Sequence, residues 1–240
     1  MATPRSIDDI RNDVKEQLAW DTRVDSSNFD VDVVDGTVVL SGTVPTYPDR
    51  NQAQTDALQV PGVAAVDNRL VVSFPSAYVV PADAEISFNV TSSLVWSPTI
   101  DATQIHVAVA GGVVTLMGTV ESFWQKQRAG EIAANTAGVT DVHNDLIVAP
   151  PSAATIDDDI RRDIMAALER NVSVDTTRMT VDVGDGVVTL RGSVPDYATY
   201  HTAEDAARYT SGVLDVRNQL VIESRDARQP EPQPQPTAGQ

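Results

Sequence analysis

Cysteine is absent from all 240 residues. That removes disulfides and every metal site built on thiolates. Histidine occurs three times and tryptophan three times, and aromatic residues make up only 5% of the chain. Each large aromatic is therefore worth placing individually. Cations are scarce as well: 17 Lys and Arg face 34 Asp and Glu, a formal net charge of −17 that is spread along the chain. An evenly acidic chain repels phosphates, which argues against a nucleic-acid partner and gives anionic lipid no electrostatic pull. Solubility explains the acidity, with cation collection as the alternative. No apolar run approaches the roughly 18 residues of a membrane span, and Met1–Asp9 holds no apolar signal region. The expectation is a cytoplasmic protein as written, periplasmic if a signal peptide has been removed.

What the chain does have, it has three times. Asp35-Gly36-Thr37-Val38-Val39-Leu40-Ser41-Gly42 is echoed by Gly111-Gly112-Val113-Val114-Thr115-Leu116-Met117-Gly118 and by Asp185-Gly186-Val187-Val188-Thr189-Leu190-Arg191-Gly192. The closing glycines lie 118 − 42 = 76 and 192 − 118 = 74 residues apart, too far for a solenoid repeat and right for a small domain. Three modules of about 67 residues follow, each small enough that contacts with a neighbour or within a homo-oligomer matter to its stability. The expected spans are 6–73, 82–148 and 155–222, with 223–240 as a Pro-rich tail of extended, disordered character.

Each module begins with an amphipathic helix. Its apolar stripe is Ile10, Val14, Leu18 in the first copy, Ile86, Val90, Leu94 in the second and Ile160, Ile164, Leu168 in the third. Ser6 with Asp9 and Thr155 with Asp158 read as N-terminal capping pairs, while the second copy has Pro81 and Asp83 there instead, which can still start a helix. A hairpin comes next, its turn marked by Gly36, Gly112 and Gly186. The second strand alternates, placing Val38, Leu40, Gly42 and Val44, and their counterparts in the other copies, on one face. A glycine there, at Gly42, Gly118 and Gly192, predicts a close backbone approach, for which the second helix with its small residues Ala53 and Ala57, Ala129 and Ala133, Ala203 and Ala207 is the expected partner. Gly62, Gly138 and Gly212 are expected to cap that helix before a third strand. The fold class is α+β, three tandem αββαβ modules, each a three-stranded mixed sheet with two helices on one face. Phe74–Pro81 is an apolar linker expected to pack on a neighbour, and Ala149–Ala154 a short semi-rigid spacer.

This order resembles the BON domain family, named for bacterial osmotically inducible and nodulation proteins. The likeness rests on the Asp-Gly-Val-Val-Thr-Leu-x-Gly turn and strand, the Gly-Val before the last strand, and Asp215-Val216-Arg217-Asn218-Gln219-Leu220-Val221-Ile222 at its end, and it spans nearly everything from Ile7 to Ile222. The resemblance implies a binding module for phospholipid surfaces or envelope proteins in osmotic and envelope stress. Many family members are exported. The second copy departs from the others, with Gly111 for Asp, Glu121 for Pro45 and Pro195, and only Lys126 and Arg128 as cations, which marks it as specialised.

Catalysis finds no support. His106, His143 and His201 occupy nonequivalent positions and lie in no ligand spacing or nucleophile motif; no enzyme activity, cofactor or metal is expected. Asn68, Asn144 and Asn218 recur in register and read as structural. Trp20 and Trp96 end their helices two residues past the core leucine, which turns them off the apolar stripe. They pack at the core edge or serve as exposed anchors; Trp124, beside a core Phe123, is the third candidate contact. The leading expectation is a non-enzymatic tandem protein that docks through Trp20, Trp96 and Trp124. A protein-interaction or oligomeric scaffold and a cation-responsive stress protein are the alternatives. Because the copies agree in the core and differ at Trp20, Trp96 and Arg170 and at Pro48, Trp124 and Ala198, binding is to be sought in those differences.

Overall fold

The computed structural model describes residues 6–34, 37–63, 65–149, 157–171 and 174–222. Within them the first module consists of α1 (Ile7–Trp20), β1 (Phe29–Val34), β2 (Thr37–Val44), α2 (Tyr47–Gln59) and β3 (Ala65–Val72). Its successors are α3 (Asp83–Trp96), β4 (Ile105–Ala110), β5 (Val113–Val120), α4 (Phe123–Ala134) and β6 (Asp141–Val148), then α5 (Asp157–Glu169), β7 (Met179–Gly184), β8 (Val187–Val194), α6 (Tyr197–Arg208) and β9 (Asp215–Ile222). In every sheet the second strand is central, antiparallel to the first and parallel to the third. The parallel step needs a crossover, and the second helix supplies it. The α+β class and the three mixed-sheet modules thus stand as the sequence implied.

The three helix stripes read from the sequence are the buried residues of α1, α3 and α5. They close on the alternating residues of the central strands, among which Val38, Leu40, Val114, Leu116, Val188 and Leu190 are fully enclosed. Ser6 caps α1 in a reciprocal pair with Asp9. Thr155, its expected counterpart, and Gly36 of the first hairpin turn lie outside the described residues, as do the 223–240 tail and all of the second linker but Ala149.

Two expectations need correction. The backbone that crowds Gly42, Gly118 and Gly192 is the carbonyl of Asn28, Gln104 or Arg178 at the entry to the partner strand, rather than the second helix. A Cβ at any of them would overlap that carbonyl, and their φ of 120–124° is open to glycine at little cost. Strand alternation suggested a sheet-face contact, but the positive φ turns the position back onto the first strand's entry. The small residues Ala53, Ala57, Ala129, Ala133, Ala203 and Ala207 are nonetheless completely buried. Second, Gly62, Gly138 and Gly212 do not cap the helices. The caps are Val60, Asn135 and Tyr209, and the glycines sit in the following turn, where Gly62 meets Ile10 and Gly138 meets Ile86. In module 2 a helix does start at Asp83, although its N-cap Ala82 offers no side-chain bond and Asp83 does not act as a cap. Its carboxylate instead accepts from Gly111 N at 2.8 Å and Gly112 N at 2.9 Å; Asp157 does the same for Asp185 and Gly186.

A 3-10 turn between first helix and first strand was not foreseen. Its signal is an Asp followed two residues later by Ser or Thr: Asp25, Asp101 and Asp175 each accept from the backbone N–H and the hydroxyl of Ser27, Thr103 and Thr177. Asn68 and Asn144 are structural, donating to the Arg50 and Lys126 carbonyls in the first turn of the second helix and accepting from Leu70 N and Leu146 N.

The modules form a closed cluster rather than a line. Module 2 and module 3 share one continuous apolar core, and Leu58 of α2 packs against that core as well as its own. Arg50 of α2 pairs with Asp141 of β6 at 3.5 Å, Tyr47 lies beside the same carboxylate, and Tyr197 of α6 lies beside Thr55 of α2. The second helices therefore face inward, and the first helices are left to face outward.

Candidate functional site

α3 carries two apolar stripes. One is the core set Ile86, Val90 and Leu94. The other, Ala84, Phe88 and Val95 with Thr91 among them, has an i, i+4, i+7, i+11 spacing and lies about 140–200° round the helix from Ile86, away from the core. Phe88 is 71% exposed, Val95 65% and the adjoining Trp96 85%. Equivalent positions in α1 are Asp8, Asn12, Lys15, Ala19 and Trp20; in α5 they are Asp158, Arg162, Met165, Glu169 and Arg170. Phe88 thus stands where the siblings carry Asn12 and Arg162, and Val95 and Trp96 stand where α5 carries Glu169 and Arg170 and α1 carries Ala19 and Trp20. Large apolar residues on the outer face of a helix add nothing to its own module and imply contact with something else.

Cations are missing from this helix. Its only charged residues, Asp83 and Glu85, lie in the first turn. The backbone N–H groups of Gly111 and Gly112 hold the Asp83 carboxyl below the usual carboxylate range. Its negative charge is thereby committed to the hairpin turn and to the positive end of the helix dipole.

Of the three tryptophans singled out from sequence, the structure exposes two. Trp96 continues the outer stripe of α3, and Trp20, 77% exposed, ends α1 beside Gln59, Val60 and Pro61. Trp124 is half-buried at the start of α4, in a cleft of about 430 Å³ that it shares with Ser97, Pro98, Thr99, Arg208 and Tyr209. Ser97 follows Trp96 directly, so Trp96 and Trp124 flank one turn at the same end of module 2. Gln125 fastens that turn by donating to the Thr99 carbonyl at 3.0 Å. Phe123 is core, as its alignment with Tyr47 and Tyr197 implied. Sequence reading missed Phe88 and Val95. Their signal was present in the register of the three copies, where Asn12 and Arg162, Ala19 and Glu169 stand against them.

The apolar linker does pack. Phe74 and Tyr78 stack with ring centres 5.0 Å apart, and together with Tyr47 and Pro48 they border a mainly apolar pocket of about 330 Å³ against Asn135–Val139 of module 2. Val79, by contrast, is almost wholly exposed. The histidines stay apart; His201 lies 3.1 Å from Asp205 on its own helix. Among the described residues no three His, Asp or Glu side chains gather into a metal-binding group, and no helix is long and apolar enough to cross a membrane.

Known proteins bear on this arrangement in three ways. Osmotically-inducible protein Y of Escherichia coli (strain K12) is 34% identical over 143 residues, which cover 58% of this chain and 71% of that protein. Two solved structures of CdsD, a structural protein of the type III secretion system of Chlamydia trachomatis, align over 88% and 90% of this chain and 96% and 92% of theirs, at 13% and 15% identity. Their TM-score of 0.25 is too low for any structural argument. The BON domain model matches residues 6–73, 82–150 and 156–224. With most of its length accounted for by three successive matches, the chain belongs to the BON domain family.

Proposed function

We propose that this chain is a non-enzymatic tandem BON-domain protein that docks peripherally on phospholipid surfaces through the outer face of α3, in a response to osmotic or envelope stress. The observation that carries the reading is the exposed outer stripe Phe88, Val95 and Trp96, apolar throughout where α5 carries Arg162, Glu169 and Arg170 and α1 carries Asn12, Ala19 and Trp20. Tryptophan at the end of such a stripe suits the boundary between headgroups and acyl chains, because one edge of the ring can stay wet. The stress context comes from the name of the Escherichia coli relative. Without cations on α3, the attraction is hydrophobic, so zwitterionic vesicles should bind at least as well as anionic ones.

Co-sedimentation with phosphatidylcholine vesicles tests this reading. Binding that weakens in Trp96→Ala and less in Trp20→Ala and Trp124→Ala supports it; no binding to vesicles of any composition overturns it. The same stripe could instead bury against a second copy. A stable oligomer in light scattering that Phe88→Asn dissociates would favour a self-associating scaffold.

A further inference from the structure

The seam between α1 and α2 encloses a carboxyl group with no counterpart in the other modules. Asp56 is 1% exposed, where module 2 has Ile132 and module 3 has Ala206. Its Oδ1 accepts from Gln52 Nε2 at 2.8 Å, and its Oδ2 has no donor among the described residues. Asp21, also buried, faces it from the end of α1. The Asp21 carboxylate is satisfied by Arg23, which donates its backbone N–H at 2.9 Å, Nε at 3.0 Å and Nη2 at 2.6 Å. The counterparts of Asp21 are Ser97 and Asn171, so the whole constellation is peculiar to module 1.

The charges around Asp56 do not balance if both carboxyls are ionised. From the α1 end Asp21 and Arg23 face it, and from α2 itself Gln52; α6 meets α2 at the adjoining Thr55 and Leu58. One guanidinium therefore serves two carboxylates, and a buried, unpaired negative charge is costly. A proton on Oδ2 removes the cost and turns an orphan acceptor into a donor aimed at Asp21.

We infer that the α1–α2 seam of module 1 is a proton-binding site, in which protonated Asp56 donates from Oδ2 to the Asp21 carboxylate, and that release of this proton loosens α1 and its terminal Trp20 from α2. The direction of titration agrees with the geometry. Burial, then the Asp21 charge, pushes the Asp56 carboxyl above the usual carboxylate range against the Gln52 bond, while Arg23 holds Asp21 down at about 2. Because the folded chain keeps a proton that the unfolded chain has already released, Asp56 makes stability fall as pH rises from about 3.9 through its folded value. Asp21 has the opposite sign: its contribution is present above about 3.9 and is lost as pH falls toward 2.

The direct test is the carboxyl ¹³C titration of Asp56 in the full chain. A midpoint above the ordinary aspartate value of about 3.9 is expected; a midpoint at or below it overturns the inference. Asp56→Asn mimics the protonated form, with an amide that accepts from Gln52 and donates to Asp21. Its melting temperature should exceed the parent's by a margin that grows between pH 4 and pH 8, and a margin independent of pH refutes the linkage. In a Trp96→Phe/Trp124→Phe background, Trp20 emission should shift with the Asp56 midpoint and stay flat once Asp56→Asn is added; emission flat in both overturns the loosening of α1. Should the parent at pH 7 be stabilised by potassium or calcium over choline at equal ionic strength, and Asp56→Asn not, the site holds a metal cation and the proton assignment fails. If Asp56→Asn does not fold, the parent's own carboxyl titration decides.

Discussion

Replacing the outer stripe of α3 with the residues its sibling helices carry at the same positions separates surface contact from folding. Phe88→Asn and Val95→Ala take the residues of α1, and Trp96→Arg that of α5, so every replacement is already compatible with this helix position. Phe88 and Trp96 expose 71% and 85% of their surface. At about 150–250 Å² per aromatic side chain that is roughly 330 Å², and at about 25 cal/mol per Å² its complete removal from water is worth roughly 8 kcal/mol. A helix lying in the headgroup boundary immerses only part of its apolar face. Half of that area corresponds to about 4 kcal/mol, close to three decades in partition coefficient at about 1.4 kcal/mol per tenfold. The assay is co-sedimentation with phosphatidylcholine vesicles across a lipid titration, with thermal unfolding measured in parallel. The triple variant should keep its melting transition within a few degrees and lose two to three decades, written as roughly 100- to 1000-fold, of vesicle partitioning. Partitioning within twofold of the parent, in a variant that remains folded, refutes α3 as the docking surface.

Three further outcomes follow from the fold. Leu116→Ala, at a fully enclosed position of β5, should destabilise the joined core of modules 2 and 3 by about 2–5 kcal/mol, read by denaturant unfolding; a loss well under 1 kcal/mol would mean the core is not packed as described. Gly118→Ala meets both a φ of 120° and the Gln104 carbonyl, so it should destabilise by more than the ~1 kcal/mol ordinarily spent on a strained φ, and a neutral effect would refute the close approach. Asp83→Asn should lower the melting temperature at pH 7 by weakening the bonds to Gly111 and Gly112. Since the Asp83 carboxyl is held below the usual range, its contribution is present above about 3.9 and lost in more acid solution, so the gap between variant and parent should close as pH falls below 4.

How much of this could be read from the chain differs by kind of residue. Core positions such as Ile86, Val90 and Leu94 announce themselves because burial against a sheet imposes the helix period on the sequence. Trp96 was legible from its offset of two from Leu94, although offset alone could not tell core-edge packing from exposure. Phe88 was passed over because the stripe Ile86, Val90 and Leu94 already accounts for the helix; only its register against Asn12 and Arg162 exposes it. Asp56 was silent for a different reason. An acid in a helix reads as surface, and its burial depends on α1 and the Asp21–Arg23 pair, which lie more than 30 residues earlier.

The amino-acid sequence by itself determined the module, its triplicate order, its α+β class and its core, because those follow from local periodicity, turn chemistry and repetition. Tertiary structure alone decided which backbone crowds Gly42, Gly118 and Gly192, that the second helices gather at the centre of the cluster, and hence that the first helices face outward. Those outcomes depend on contacts between segments far apart in the chain, such as Arg50 with Asp141 and Thr55 with Tyr197. No local pattern encodes such meetings.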